Sequence, residues 1–108
     1  MFFSCFRGQK KVKMKIAVIG AGAWGSTLAQ HLNKNGHQIT LWEFDKSRLE
    51  YLKNRRHPLF FPHVKLSKNI AITNNIAHAV TKKDIVILAV PSQTMRDTAK
   101  KIKKYINP

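Results

Sequence analysis

Three short stretches carry the residue types that could do chemistry. The first is Gly20-Ala21-Gly22-Ala23-Trp24-Gly25, a G-x-G-x-x-G turn between the apolar run Ile16-Ala17-Val18-Ile19 and a helical pattern. In that context Gly20 permits the tight turn and Gly22 lets the backbone approach a pyrophosphate. Gly25 lets the following helix pack closely on the sheet, and the helix amino terminus favours negative charge. The second stretch is Glu43-Phe44-Asp45, about 20 residues further on, where an acidic side chain could accept hydrogen bonds from adenosine ribose hydroxyls. The third is Val90-Pro91-Ser92-Gln93, directly after the most aliphatic run of the chain. Together they point to a bound dinucleotide. No metal site is expected: there is one cysteine, Cys5, and five scattered histidines. His31 and His37 read as surface residues around the first helix, and only His63, in an irregular segment, stands where a proton donor could act.

The elements that must position these groups follow from periodicity. Trp24, Leu28 and Leu32, with Ala29 beside them, give the first helix one apolar face, and Asn35-Gly36 ends it. Residues 39–42 read as a second strand, closing a βαβ unit. Residues 47–53 read as a short helix with Ser47 as its cap and Leu49 and Leu52 as its apolar pair. A long irregular stretch over 54–69 contains Pro58 and Pro62, and a connection of that length is more often functional than idle. Residues 70–73 form a third strand, 74–81 a short helix, and 84–90 a fourth strand buried on both faces of a parallel sheet. Ser92 caps a last helix, in which Met95, Ala99, Ile102 and Ile106 face inward while Lys100, Lys101, Lys103 and Lys104 face solvent. The expected fold is α/β: a Rossmann-type doubly wound parallel sheet, incomplete at about four strands, in the order 3-2-1-4. All three chemical stretches then fall at the carboxyl edge of the strands.

Composition sets the outer bounds. The chain has 108 residues and a formal net charge of +15, with a pI near 10.5. That charge raises nucleic acid or an anionic membrane as partners. The lysines of the last helix read instead as a solvated face, so no specific nucleic-acid partner is expected. No apolar run reaches the roughly 18 to 20 residues of a membrane span, and the single cysteine fits a reducing compartment. A cytoplasmic protein is expected. Residues 1–13, with Phe2, Phe3 and Phe6 and the basic cluster Arg7, Lys10, Lys11 and Lys13, read as a disordered basic extension, and Met14 as an alternative start.

Taken together, GAGAWGSTLA at 20–29, LWEFD at 41–45, RHPLFFPHVKLS at 56–67 and DIVILAVPSQ at 84–93 resemble NAD(P)-dependent glycerol-3-phosphate dehydrogenases over 14–108. The resemblance implies interconversion of dihydroxyacetone phosphate and sn-glycerol 3-phosphate with NAD(P)H, feeding phospholipid synthesis. It implies cofactor contacts from Gly20, Gly22, Ala23, Trp24, Gly25, Phe44, Asp45, Phe60, Val90 and Pro91, with Ser92 and Gln93 beside the nicotinamide. Many bacterial members carry arginine at the position of Phe44, suited to a 2′-phosphate. Phenylalanine between Glu43 and Asp45 favours NAD, although Lys46 and Arg48 could attract NADP. Ala23 and His57 depart from the family's usual serine or asparagine, and asparagine. The family's lysines for catalysis and substrate, and its helical substrate domain, would lie beyond Pro108, so no catalytic residue is assigned here. The expectation is an amino-terminal part of the cofactor domain, inactive alone. It is either truncated or complemented by a separate carboxyl-terminal part, with homodimerisation as a further possibility. A non-catalytic dinucleotide-binding module is the alternative.

Overall fold

In the computed structural model, which describes residues 13–106, the run before the glycines forms strand β1 (Lys15–Ile19), buried over its last four residues. Helix α1 (Ala23–Lys34) leads to β2 (Gln38–Trp42), and α2 (Lys46–Arg55) precedes the irregular segment. Then follow β3 (Ala71–Thr73), α3 (Ile76–Val80), β4 (Ile85–Leu88) and α4 (Ser92–Lys103). The strands pair in parallel in the order β3-β2-β1-β4, as expected. Val18 lies level with Leu41 on one side and Ile87 on the other.

Alternation along β1 assigns the two faces, because successive side chains of a strand point to opposite sides. Ile16 and Val18 join Ala29, Ile39, Leu41, Leu49 and Leu52 on the side of α1 and α2. Ala17 and Ile19 join Trp42, Ala79, Val80 and Ile102 on the side of α3 and α4. The expectation for β4 is corrected. It lies at the edge, as the order 3-2-1-4 requires, but it is not buried on both faces: its first residue is exposed and the rest are half-buried, with only β1 paired to it among the described residues.

The caps also differ from the sequence reading. Asp45, not Ser47, caps α2: its backbone is extended, and its carboxylate accepts a hydrogen bond from Arg48 N–H at 2.9 Å. The acid two residues earlier captures the helix start, so Ser47 lies inside the helix. Ser92 is likewise the first helical residue of α4, behind an uncapping Pro91. Asn75 caps α3, accepting from His78 N–H at 3.0 Å, which starts that helix at Ile76.

The segment between α2 and β3 is irregular but well tied. Arg56 takes a left-handed conformation (φ 61°) at the end of α2. Its guanidinium donates to the Ser67 carbonyl at 2.6 Å and the Ile70 carbonyl at 2.8 Å. From α1, Gln30 exchanges hydrogen bonds with Ser67, accepting from its N–H at 2.8 Å. Val64, Leu66 and Ile70 are buried beneath these ties. Desolvation lowers the Arg56 pKa from its ordinary value, the consequence of drawing a cation partly out of water. Among the described residues no helix is long and apolar enough to cross a membrane. The basic extension, apart from Lys13, lies outside the described residues.

Candidate functional site

The three glycines do different work. Gly20 has φ +118°, and a Cβ there would collide with the Ala89 carbonyl at the end of β4. A Cβ at Gly25 would drive into the Gly20 carbonyl, so glycine lets α1 sit against the turn it leaves. Gly22 is different. Its φ is −73°, which any residue adopts, and a Cβ there would meet nothing within 4 Å. The protein's own packing does not demand glycine at this position. As the N-cap of α1 it also makes no side-chain capping bond, and no acidic residue stands in the first turn. The first-turn N–H groups therefore face outward with the positive end of the helix dipole.

They face a cavity of about 1000 Å³. One side is the whole glycine turn, Gly20 to Gly25; the ends of β2 and β4 add Trp42 to Asp45 and Leu88 to Pro91. Thr94, Met95, Asp97, Thr98 and Lys101 of α4 close the far side, with Arg48 of α2. Of the residues predicted from sequence, Gly20, Gly22, Ala23, Trp24, Gly25, Phe44, Asp45, Val90 and Pro91 are brought together here. Phe60 is not. It is 83% exposed at φ 71° and lines an adjoining recess of about 150 Å³ that shares Ala21, Gly22, Ala23, Glu43 and Arg48 with the main cavity. Ser92 and Gln93 do not line the cavity.

The acids at the end of β2 are partly committed. Glu43 is buried and accepts from Asp45 N–H at 2.8 Å; Asp45 accepts from Arg48 N–H. Each carboxylate retains further acceptor sites for hydroxyl groups. Trp24, read from periodicity as part of the inward face of α1, is 64% exposed at the cavity wall, while Gly25, Ser26 and Ala29 form the buried face instead. Phe44, also exposed, lies 6.2 Å from the Trp42 ring.

Two ionisable side chains add to the sequence reading. Lys101 is exposed, as expected for the lysine face of α4, and it also lines the cavity, with its ammonium 5.3 Å from the centre of the Phe44 ring. A signal for this wall was present: Thr94, Thr98 and Lys101 lie at i, i+4 and i+7, one face of a helix. His37 is half-buried rather than a surface residue, and its Nδ1 accepts from Met14 N–H at 3.1 Å. His63 is exposed and packs edge-on against Phe61, away from the cavity lining. Among the described residues no cluster of histidine, cysteine and acidic side chains could hold a metal ion.

The cavity fits a dinucleotide. It is long enough to reach from the α1 amino terminus to the acids of β2, it is lined mainly by apolar groups, and its one dispensable glycine sits where a pyrophosphate must approach. Comparisons with known proteins agree. Residues 15–108 match the model of the NAD-dependent glycerol-3-phosphate dehydrogenase N-terminus. A glycerol-3-phosphate dehydrogenase [NAD(P)+] of Fusobacterium nucleatum is 47% identical over 94 residues, 86% of this chain and 28% of the relative. One from Thermoanaerobacter is 45% identical over 91 residues, 84% of this chain and 28% of that protein. The crystal structure of glycerol-3-phosphate dehydrogenase from Coxiella burnetii superposes with a TM-score of 0.82 at 21% identity, over 89% of this chain and 30% of the other. The chain thus spans a little over a quarter of the length of the curated relatives it matches. It belongs to the NAD-dependent glycerol-3-phosphate dehydrogenase family.

Proposed function

We propose that this chain supplies the dinucleotide-binding portion of an enzyme that interconverts dihydroxyacetone phosphate and sn-glycerol 3-phosphate with NAD(P)H. Gly22 carries this reading: glycine stands where the fold itself has room for a side chain, beside uncapped helical N–H groups. In this assignment backbone N–H groups of Gly22, Ala23 and Gly25 hold the pyrophosphate, while Gly20, whose N–H donates to the Trp42 carbonyl at 3.0 Å, makes the turn against which the cofactor lies. Trp24, Val90 and Pro91 flank the nicotinamide half, and Phe44 and Asp45 the adenosine half, with Phe60 approaching the turn from its own recess. NAD is the favoured cofactor, because position 44 offers no cation and Glu43 and Asp45 retain acceptors for ribose hydroxyls. The bound cofactor would supply the hydride. The protein's part is to fix its orientation and keep water from the reacting face.

Residues 14–108 form the amino-terminal part of the cofactor domain in this reading, acting in the cytoplasm. The cavity's ionisable side chains are Glu43, Asp45, Arg48, Asp97 and Lys101. All five lie on the β2, α2 and α4 walls rather than beside Val90 and Pro91, so the proton donor and substrate phosphate clamp come from a carboxyl-terminal part. That part is complementing or covalently continuous, in a monomer or a homodimer. The test uses Trp24 and Trp42, which both line the cavity. Titrating the chain with NADH should quench their emission and excite nicotinamide fluorescence by energy transfer. Oxidation of NADH by dihydroxyacetone phosphate should appear only when the family's carboxyl-terminal part is added. Absence of saturable NADH binding, or robust turnover by residues 1–108 alone, overturns the proposal.

A further inference from the structure

The adenosine end of the cavity holds a cation that its strand does not supply. Lys101 comes from α4, across the cavity from β2, and its ammonium lies 5.3 Å from the centroid of Phe44. Attraction between a cation and the face of an aromatic ring gives that ammonium a preferred position. Lys101 is exposed, so the contact is a weak one: enough to favour the cavity edge, and weak enough to release the ammonium to a ligand. Arg48 lines the same region, its backbone N–H bound by Asp45. Three acids also line the cavity. Glu43 is buried with one oxygen engaged, Asp45 is engaged as a helix cap, and Asp97 lies on α4, one turn before Lys101. The two engaged acids are held by backbone N–H groups, which leaves Lys101 and Arg48 as the cations able to turn toward a ligand at the Phe44 edge.

We propose that Lys101, rather than a residue of β2, determines how well this site accepts a second phosphate on the adenosine ribose, so that NADPH binds nearly as well as NADH. The inference rests on the dinucleotide reading above and specifies its adenosine end. A 2′-phosphate beside Phe44 would lie within reach of the Lys101 ammonium and gain a charge-assisted hydrogen bond, which a free ribose hydroxyl cannot match. Lysine suits this role, since its compact ammonium on a flexible stem can leave the ring and meet the phosphate.

Binding of NADH and NADPH to the full chain, to Lys101→Met and to Lys101→Arg tests this, with circular dichroism confirming the fold. The parent should bind NADPH within about tenfold of NADH, and the ratio of NADPH to NADH affinity should fall with added salt. Lys101→Met keeps the stem and removes the charge. It should lower the ratio of NADPH to NADH affinity about tenfold, and Lys101→Arg should restore most of it. Lys104→Met serves as a control for net charge and should leave the ratio unchanged. A ratio unaltered by Lys101→Met, or lowered equally by Lys104→Met, overturns the assignment while leaving the dinucleotide reading intact. A parent that binds neither nucleotide overturns both.

Discussion

The two faces of the sheet are filled to different degrees. On the α1 and α2 side, the buried cluster runs from Ile16 and Val18 through Leu41, Leu49 and Leu52 to Leu66 and Ile70 in the irregular segment. On the α3 and α4 side a smaller buried cluster is extended by Val86, Leu88 and Val90, which stay partly exposed, and Met95, expected to face inward, is 37% exposed. The cavity opens where these faces meet. Its glycine wall is carried by the well-filled face and its α4 wall by the sparse one. The filled face fixes where a pyrophosphate can sit, and the sparse face supplies a wall with fewer contacts to hold it. That division suits a site needing one rigid partner and one that can adjust.

The sharpest way to break this comparison is to unseat α1. Gly25→Ala places a methyl group against backbone that cannot move aside, so we expect a loss of about 3 kcal/mol or more, enough to unfold much of a marginal domain. Urea unfolding followed by circular dichroism reads this directly. Next come paired truncations on the two faces. Leu52→Ala, on the filled face, should cost about 3 to 4 kcal/mol, and Ile102→Ala, where surroundings can relax, about 2. Equal losses would remove the distinction between the faces.

The smallest effect lies at the amino-terminal start of β4. Desolvation, and then repulsion from Lys15, lower the pKa of Lys83. A lysine whose folded pKa lies below its unfolded value destabilises the fold while charged, and stability recovers as pH rises from the folded toward the unfolded value. Lys83→Met should therefore raise stability at pH 7, by less than about 1 kcal/mol at a half-exposed position. The gain should shrink in alkaline solution. A gain that grows with pH would contradict the assigned sign.

Strand order and the glycine turn were legible because buried parallel strands read as aliphatic runs and the turn has a fixed spacing. Other features were not. Aliphatic character marks 85–88 as a strand but says nothing of how fully its faces are covered, so burial on both faces is expected where the strand is only half-buried. Helical periodicity cannot tell an aromatic facing a core from one facing a cavity, which misplaced Trp24. Hydrophobic patterning marks Lys101 as solvated, which it is, but says nothing of the cavity edge and the Phe44 ring that its long stem also reaches. Asp45 was read for its acidity alone, while its position three residues before the Arg48 N–H makes it a cap.

The central claim is that Gly22 is glycine for a ligand rather than for the fold. Gly22→Val adds a side chain at an ordinary φ into open space, where a pyrophosphate would have to approach. Parent and variant should share a circular dichroism spectrum, with unfolding free energies in urea that differ by about 1 kcal/mol, the cost of valine in place of glycine at an N-cap. The measurement is the NADH dissociation constant of each by fluorescence titration. We predict a loss of at least about a hundredfold in the variant, and equal affinity for the two proteins would contradict the account.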